Sequence, residues 1–197
     1  MKEILKPSSF EVKTIELAID EDSILFDGQT ILKSDITELK FWISSVEFYK
    51  FSIGKHYQIG FKTEKNQIDI HLRSYLGISD RYFLHLFNQI LDKVWDPLTQ
   101  RIFQRNLREW SENRLVNIAG CQLRDDGIIS HKQGLIQKER IFILWQNLHF
   151  DKKFDRLTFT DSKDNSIWLN LYYKDNWNIE ILISLLEYIS EEKKALT

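Results

Sequence analysis

The stretch from Asp126 to Trp145, DGIISHKQGLIQKERIFILW, restates in diverged form what Asp22 to Phe41, DSILFDGQTILKSDITELKF, has already set down. Ile24 maps onto Ile128, Ile31 onto Leu135, Asp35 onto Glu139 and Leu39 onto Ile143, and 128 − 24 and 139 − 35 both give 104. Apolar matched to apolar and acid to acid at one separation is the mark of an internal repeat. The chain therefore reads as a duplication, and its two halves are expected to share one order of elements.

Composition sets the outer bounds. The 197 residues, 43% hydrophobic and 13% aromatic, suffice for one larger core or two small ones. Twenty-seven basic against 29 acidic residues leave a net charge of −2, too small for an overall field that holds nucleic acid or an anionic membrane, so any such binding must be local. The single cysteine, Cys121, excludes an intramolecular disulfide and a multi-cysteine zinc site. The opening MKEILKPSSF lacks the apolar run of a signal peptide, and no segment approaches the roughly 18 apolar residues of a spanning helix. A soluble, cytoplasmic protein without a transmembrane segment is expected. Seven Gly and two Pro leave no flexible linker, so two units are expected to be joined through ordered structure.

In chain order, Phe10 to Ile19 alternates loosely, Asp20-Glu21-Asp22 turns the chain into Ile24-Leu25-Phe26, and Asp27-Gly28 is a tight hairpin signal before Thr30 to Lys33. Tyr57, Ile59 and Phe61 then face one way and His56, Gln58 and Lys62 the other, while Ile68, Ile70 and Leu72 alternate with Asp69, His71 and Arg73. These are half-buried antiparallel strands. From Ser79 or Asp80, either able to cap a helix, Phe83, Leu86, Phe87, Ile90 and Val94 recur at helical spacing.

Pro97 predicts a helix boundary, with Asp96 capping a new connector helix that carries Leu98, Ile102, Phe103, Leu107 and Trp110 on one stripe. Arg101, Arg105 and Arg108 lie on another side and are nearly cancelled by Glu109 and Glu112, which reads as a solvated face. The second half begins near Leu115. Asp125-Asp126-Gly127 and Gln133-Gly134 read as turns, Ile141 to Trp145 as a well-buried strand or strand end, and Leu157, Phe159, Ile167, Leu169 and Leu171 as alternating strands. Trp177 to Ile189 closes the chain as an amphipathic helix.

The stretches DGIISHKQGLIQKERIFILWQNL, SIWLNLYY and WNIEILISLLEYI resemble the later strands and closing helix of bacterial pleckstrin-homology-like (PH-like) domains, and the likeness covers both halves. The resemblance implies an α+β fold of two PH-like units, each with two orthogonal antiparallel sheets closed by a C-terminal helix. They are expected over 1–95 and 115–197, joined by a connector helix over 96–114. Phosphoinositide-binding members carry lysines and arginines around the first strand turn, where this chain has Asp20-Glu21-Asp22 and Arg124-Asp125-Asp126. Inositol-phosphate binding is accordingly not expected.

No His-Glu-x-x-His helix, Gly-rich phosphate loop or nucleophile elbow occurs. No catalytic residue, metal or cofactor is assigned. Asp69 and His71 share a strand face without a third ligand and read as a solvated polar face; Cys121 reads as a small buried side chain and His85 as a helix-face histidine. Two surfaces remain as candidates. One is a basic sheet face of Lys50, His56, Lys62, His71 and Arg73, with Asp69 its only acid, suited to weak contact with an anionic membrane. Nucleic acid fits it poorly, because Tyr57 and Phe61 point inward and offer no stacking platform. The other is aromatic: aligning Ile68 with Ile167 puts Trp168 at the place of Asp69 and Tyr172 at that of Arg73, and Trp110 lies on the connector. Rings of this kind are covered by the chain itself, by a partner or by a second copy. The expected function is a non-catalytic interaction module for a protein or peptide, with self-association included. The alternatives are anionic-lipid or nucleic-acid binding through the basic face, and a small enzyme with an unrecognised site.

Overall fold

The computed structural model describes residues 1–49, 51–133 and 138–195. Among these the fold is α+β, with four antiparallel sheets and two α-helices. Packing divides the chain into Met1–Gln100 and Arg101–Thr197.

In the first unit β1 (Lys2–Leu5), β2 (Ile15–Ile19), β3 (Ser23–Phe26) and β4 (Gln29–Leu32) pair in sequence order. The expected Asp27-Gly28 hairpin is present. Both residues take positive φ, 46° and 79°, which suits the twist of a two-residue loop joining Phe26 to Gln29. A 3-10 turn (Lys33–Asp35) leads to a second meander of β5 (Glu38–Phe48), β6 (Phe51–Lys62) and β7 (Gln67–Tyr75), followed by α1 (Asp80–Asn113). The alternation holds: Tyr57, Ile59, Phe61, Ile68, Ile70 and Leu72 are buried, as are Phe83, Leu86, Phe87 and Ile90 of the helix. At Gly54 the strands come so close that a Cβ would lie 2.0 Å from the Ser74 carbonyl oxygen.

The second unit repeats the order. The strands β8 (Leu115–Ile118), β9 (Cys121–Arg124), β10 (Gly127–Gln133) and β11 (Lys138–Leu144) form one sheet. A 3-10 turn (Trp145–Asn147) leads to β12 (Leu148–Lys152), β13 (Arg156–Asp161) and β14 (Trp168–Tyr172), and then to α2 (Ile179–Ala195). The expected turn at Gln133-Gly134 lies outside the described residues at Gly134.

Two expectations are corrected. No helix boundary falls at Pro97, because α1 runs unbroken through it and no separate connector helix exists. Proline removes one N–H, the one that would reach the Lys93 carbonyl, and costs about 3 kcal/mol in a helix interior. Val94 and Leu98 on either side of it, then Ile102 and Trp110, are all buried, and burial worth roughly 1.5–3 kcal/mol per large side chain outweighs that loss. The single 104-residue offset also fails beyond the third strand of each unit. Ile24 and Ile128 do sit in β3 and β10, but Asp35 lies in a 3-10 turn while Glu139 lies in β11, and Leu39 lies in β5 while Ile143 lies in β11. Strands of unequal length shift the register between the halves while the order of elements stays the same.

Candidate functional site

The outer face of β5, β6 and β7 gathers much of the polar chemistry of the first unit. Pairing sets His56 opposite Arg73, Gln58 opposite His71, Gly60 opposite Asp69 and Lys62 opposite Gln67. His56 Nε2 and His71 Nδ1 stand 2.8 Å apart, so one ring N–H donates to the bare nitrogen of the other, and the rings stack at 5.0 Å. Burial, helped by the charges of His71 and Arg73, pushes His56 down to about 4. Burial also lowers His71; Arg73 and Lys40 add to that, against the opposing pull of Asp69. Both rings are therefore neutral at neutral pH. Burial pushes the Asp69 carboxyl up, but donors from Gln67 and Gln58 and the Lys40 ammonium at 3.3 Å outweigh it and hold the group below the usual range.

This geometry brings together three of the five basic candidates. His56, His71 and Arg73 do adjoin, but two of them carry no charge. Lys62 is 2.7 Å from Glu38, and Lys55 is 3.1 Å from Asp80. Lys50 lies outside the described residues. Arg73 is left exposed, without an ion pair among the described residues. It lines a cleft of about 640 Å³ together with Phe10, Ile15, Phe26 and Tyr75, with His71 and Asp69 also from β7. The sequence pointed to the outward face but missed the cleft, since its far wall comes from residues 10 to 27.

The histidine pair makes a pH prediction. Across the window from the ordinary histidine value near 6.5 down to about 4, the unfolded chain binds a proton at His56 that the folded chain refuses. Stability at this group is thus fully present above about 6.5 and is lost as pH falls through the window. Urea midpoints of wild type should drop on acidification, and His56→Asn should flatten that part of the profile. An unchanged slope in the variant counts against the assignment.

A second surface feature had no signal beyond a run of aromatics. Beyond Gly54, the last β6 residue but one to pair with β7 being Lys55, the β5–β6 hairpin continues past the end of β7 and closes at Tyr49, whose φ is 49°. Phe48, Tyr49 and Phe51 at this tip are 63%, 84% and 74% exposed, with the first two rings in edge contact at 5.2 Å. Exposed Leu76 lies alongside, its N–H donating to the Ile53 carbonyl at 2.6 Å.

In the second unit the aromatic candidates separate. Trp168 is 44% exposed at the start of β14, opposite Thr160. Tyr172 is half-buried; Arg156 donates to its hydroxyl at 3.2 Å and, with Lys174, lies over its ring. The hairpin register is compatible with the assumed alignment: Leu169 opposes Phe159 as Ile70 opposes Ile59, which leaves Trp168 at the place of Asp69 and Tyr172 at that of Arg73. Trp110 is corrected as a surface anchor: it is fully buried, its Nε1 donating to Glu192 at 3.1 Å, and has no face to offer a partner.

Cys121 is buried and its thiol is pushed up to about 12 by burial, so it holds its proton. Among the described residues no three His, Cys, Asp or Glu side chains converge as a metal set, and no helix is long and apolar enough to cross a membrane. No family model, curated protein or solved structure matches the chain.

Proposed function

We propose that this chain is a non-catalytic interaction module of two diverged PH-like units, about 1–95 and 115–197, with α1 carrying the chain across 96–114, and that its partner is a protein or peptide. The observation that carries the reading is the β5–β6 tip, where Phe48, Tyr49 and Phe51 keep most of their surface in water. Three large rings on one turn make an apolar patch of the kind that marks a binding surface, and aromatic residues are the common anchors of interfaces. Support for two related units comes from the shared order of four strands, a 3-10 turn, three strands and a helix. Trp168 adds a half-exposed ring in the second unit.

The anionic-lipid and nucleic-acid readings lose weight from charge pairing. With Lys62, Lys55 and Lys40 each beside a carboxylate, the first unit's outer face offers little net attraction to phosphate. Affinity capture from native cell extract, read by mass spectrometry, tests the proposal. Wild type should retain a protein that the triple substitution Phe48→Ser, Tyr49→Ser, Phe51→Ser fails to retain at unchanged circular dichroism. Equal capture by both, or recovery of lipid or nucleic acid alone, overturns it.

A further inference from the structure

We infer that the free edge of β7 at Asp69–His71 is a strand-addition site, and that its occupant is an extended peptide with an acidic side chain set against Arg73. This rests on the reading of the chain as a peptide-binding or protein-binding module and names where and how the peptide docks.

The argument begins with backbone hydrogen bonds. β7 is the last strand of its sheet and pairs on one side only, with β6. On the other side, Pro7 to Ser9 touches it for one step: the Arg73 N–H donates to the Pro7 carbonyl at 2.9 Å, and the Ser9 N–H donates to the Arg73 carbonyl at 3.0 Å. Tyr75 N–H is met by Ser9 Oγ at 3.3 Å. Arg73 therefore turns both its backbone groups away from β6. In an antiparallel pair this orientation alternates strictly along the strand, so Asp69 and His71 turn theirs to the same free side.

There the N-terminal segment has left the edge. Leu5 pairs with Ile15 in the other sheet, and no backbone partner meets the N–H or C=O of Asp69 or His71 among the described residues. Open strand edges are templates for another chain, and natural proteins tend to cover or blunt them. This one opens instead into the cleft of about 640 Å³, a volume within the range of ligand sites. Main-chain donors and acceptors alternating along an edge are satisfied by an extended backbone, whereas a compact small molecule or a lipid headgroup would meet one or two of them. Pro7–Ser9 already makes this kind of addition one step along the same edge.

Charge selects the side chain. Of the cations on the cleft wall, Lys13 is held by Asp27 at 3.1 Å, while Arg73 has no ion pair among the described residues. A carboxylate carried by the added strand satisfies it in the forked geometry that guanidinium favours. The apolar wall of Phe10, Ile15 and Phe26 receives a neighbouring apolar side chain.

The test is a phage-displayed random heptapeptide library selected against the full chain, with winning sequences made synthetically. Enriched peptides should carry an acid, and on binding they should slow amide hydrogen exchange of Asp69 and His71 at least tenfold by NMR. N-methylation at alternate peptide positions should weaken binding tenfold or more in one of the two phases and leave the other phase near the parent. Arg73→Glu, a change at an exposed side chain, should reverse the charge preference of the selected peptides. Absence of enriched binders, indifference to N-methylation in both phases, or protection confined to other amides overturns the inference. If bound peptides protect only the Phe48–Phe51 turn, strand addition fails while the interaction-module reading stands. If Asp69 and His71 are protected while the tip substitutions leave partner capture unaffected, the tip-based reading fails and the edge site stands.

Discussion

Trp110→Ala should destabilise the second unit by about 3–5 kcal/mol, the range for removing a large aromatic from a packed core. The ring is 0% exposed and meets Trp145 edge-on at 6.2 Å, with the Arg114 guanidinium 5.5 Å and the Lys193 ammonium 5.9 Å from its centroid. Its Nε1 donates to Glu192, whose carboxyl is held below its usual range first by that bond, against burial and with help from Arg114 and Lys193. Truncation leaves a cavity and takes a donor from the carboxylate, and the surrounding strands and helices are too well packed to collapse fully into the space. Trp110→Phe, which keeps much of the volume but not the N–H, should lie between alanine and wild type. Urea unfolding followed by a probe confined to residues 101–195 measures both, since a chain of two units need not unfold in one step. A loss under about 1 kcal/mol for the alanine variant would show that the ring supports little.

The second large effect is expected at Asp80, where α1 begins. Its Oδ1 accepts from the hydroxyl of the fully buried Tyr57 at 2.7 Å and from Ser74 at 2.9 Å, and its Oδ2 meets Lys55 at 3.1 Å. A carboxylate in the first turn also lies favourably against the helix dipole. Asp80→Ala should cost about 2–4 kcal/mol, because it strands a buried hydroxyl as well as losing the bonds themselves. The sharper check is a double-mutant cycle. Tyr57→Phe removes the stranded group, so in the Asp80→Ala background it should cost markedly less than in wild type, with a coupling of roughly 1 kcal/mol or more. Additive losses in the cycle would rule out the bond as the source of the effect.

These two positions show how far local pattern reaches. Tyr57 was legible as an inward residue of a strand from its alternation with His56 and Gln58, and Trp110 as a member of an apolar helical stripe. What each touches was not legible, because Asp80 lies 23 residues from Tyr57 and Glu192 lies 82 residues from Trp110. Strands β1, β5, β8 and β12 went unread for a related reason. β5 is half-buried along most of its length, so its residues show no clean apolar-polar alternation. β1 and β8 are only four residues long, too short for any period to stand out.

The candidate site divides in the same way. That His56, Lys62, His71 and Arg73 share a face followed from period two alone, since covalent geometry sends successive side chains to opposite sides. Whether that face is a positive patch did not follow. Pairing register decides that Lys62 meets Glu38, that Lys40 meets Asp69 and that two histidines share one hydrogen bond, and burial then lowers the proton affinity of both rings. Sequence by itself determined the strand faces, the amphipathic helices, the Asp27-Gly28 turn and the presence of two halves with one order of elements, all of which depend on neighbours along the chain. Only the tertiary structure decided that α1 runs through Pro97, that Trp110 is core, and that the edge of β7 stands open beside a cleft. Each of these is a balance between a local preference and contacts among residues far apart in the chain, and those contacts exist only once the chain has folded.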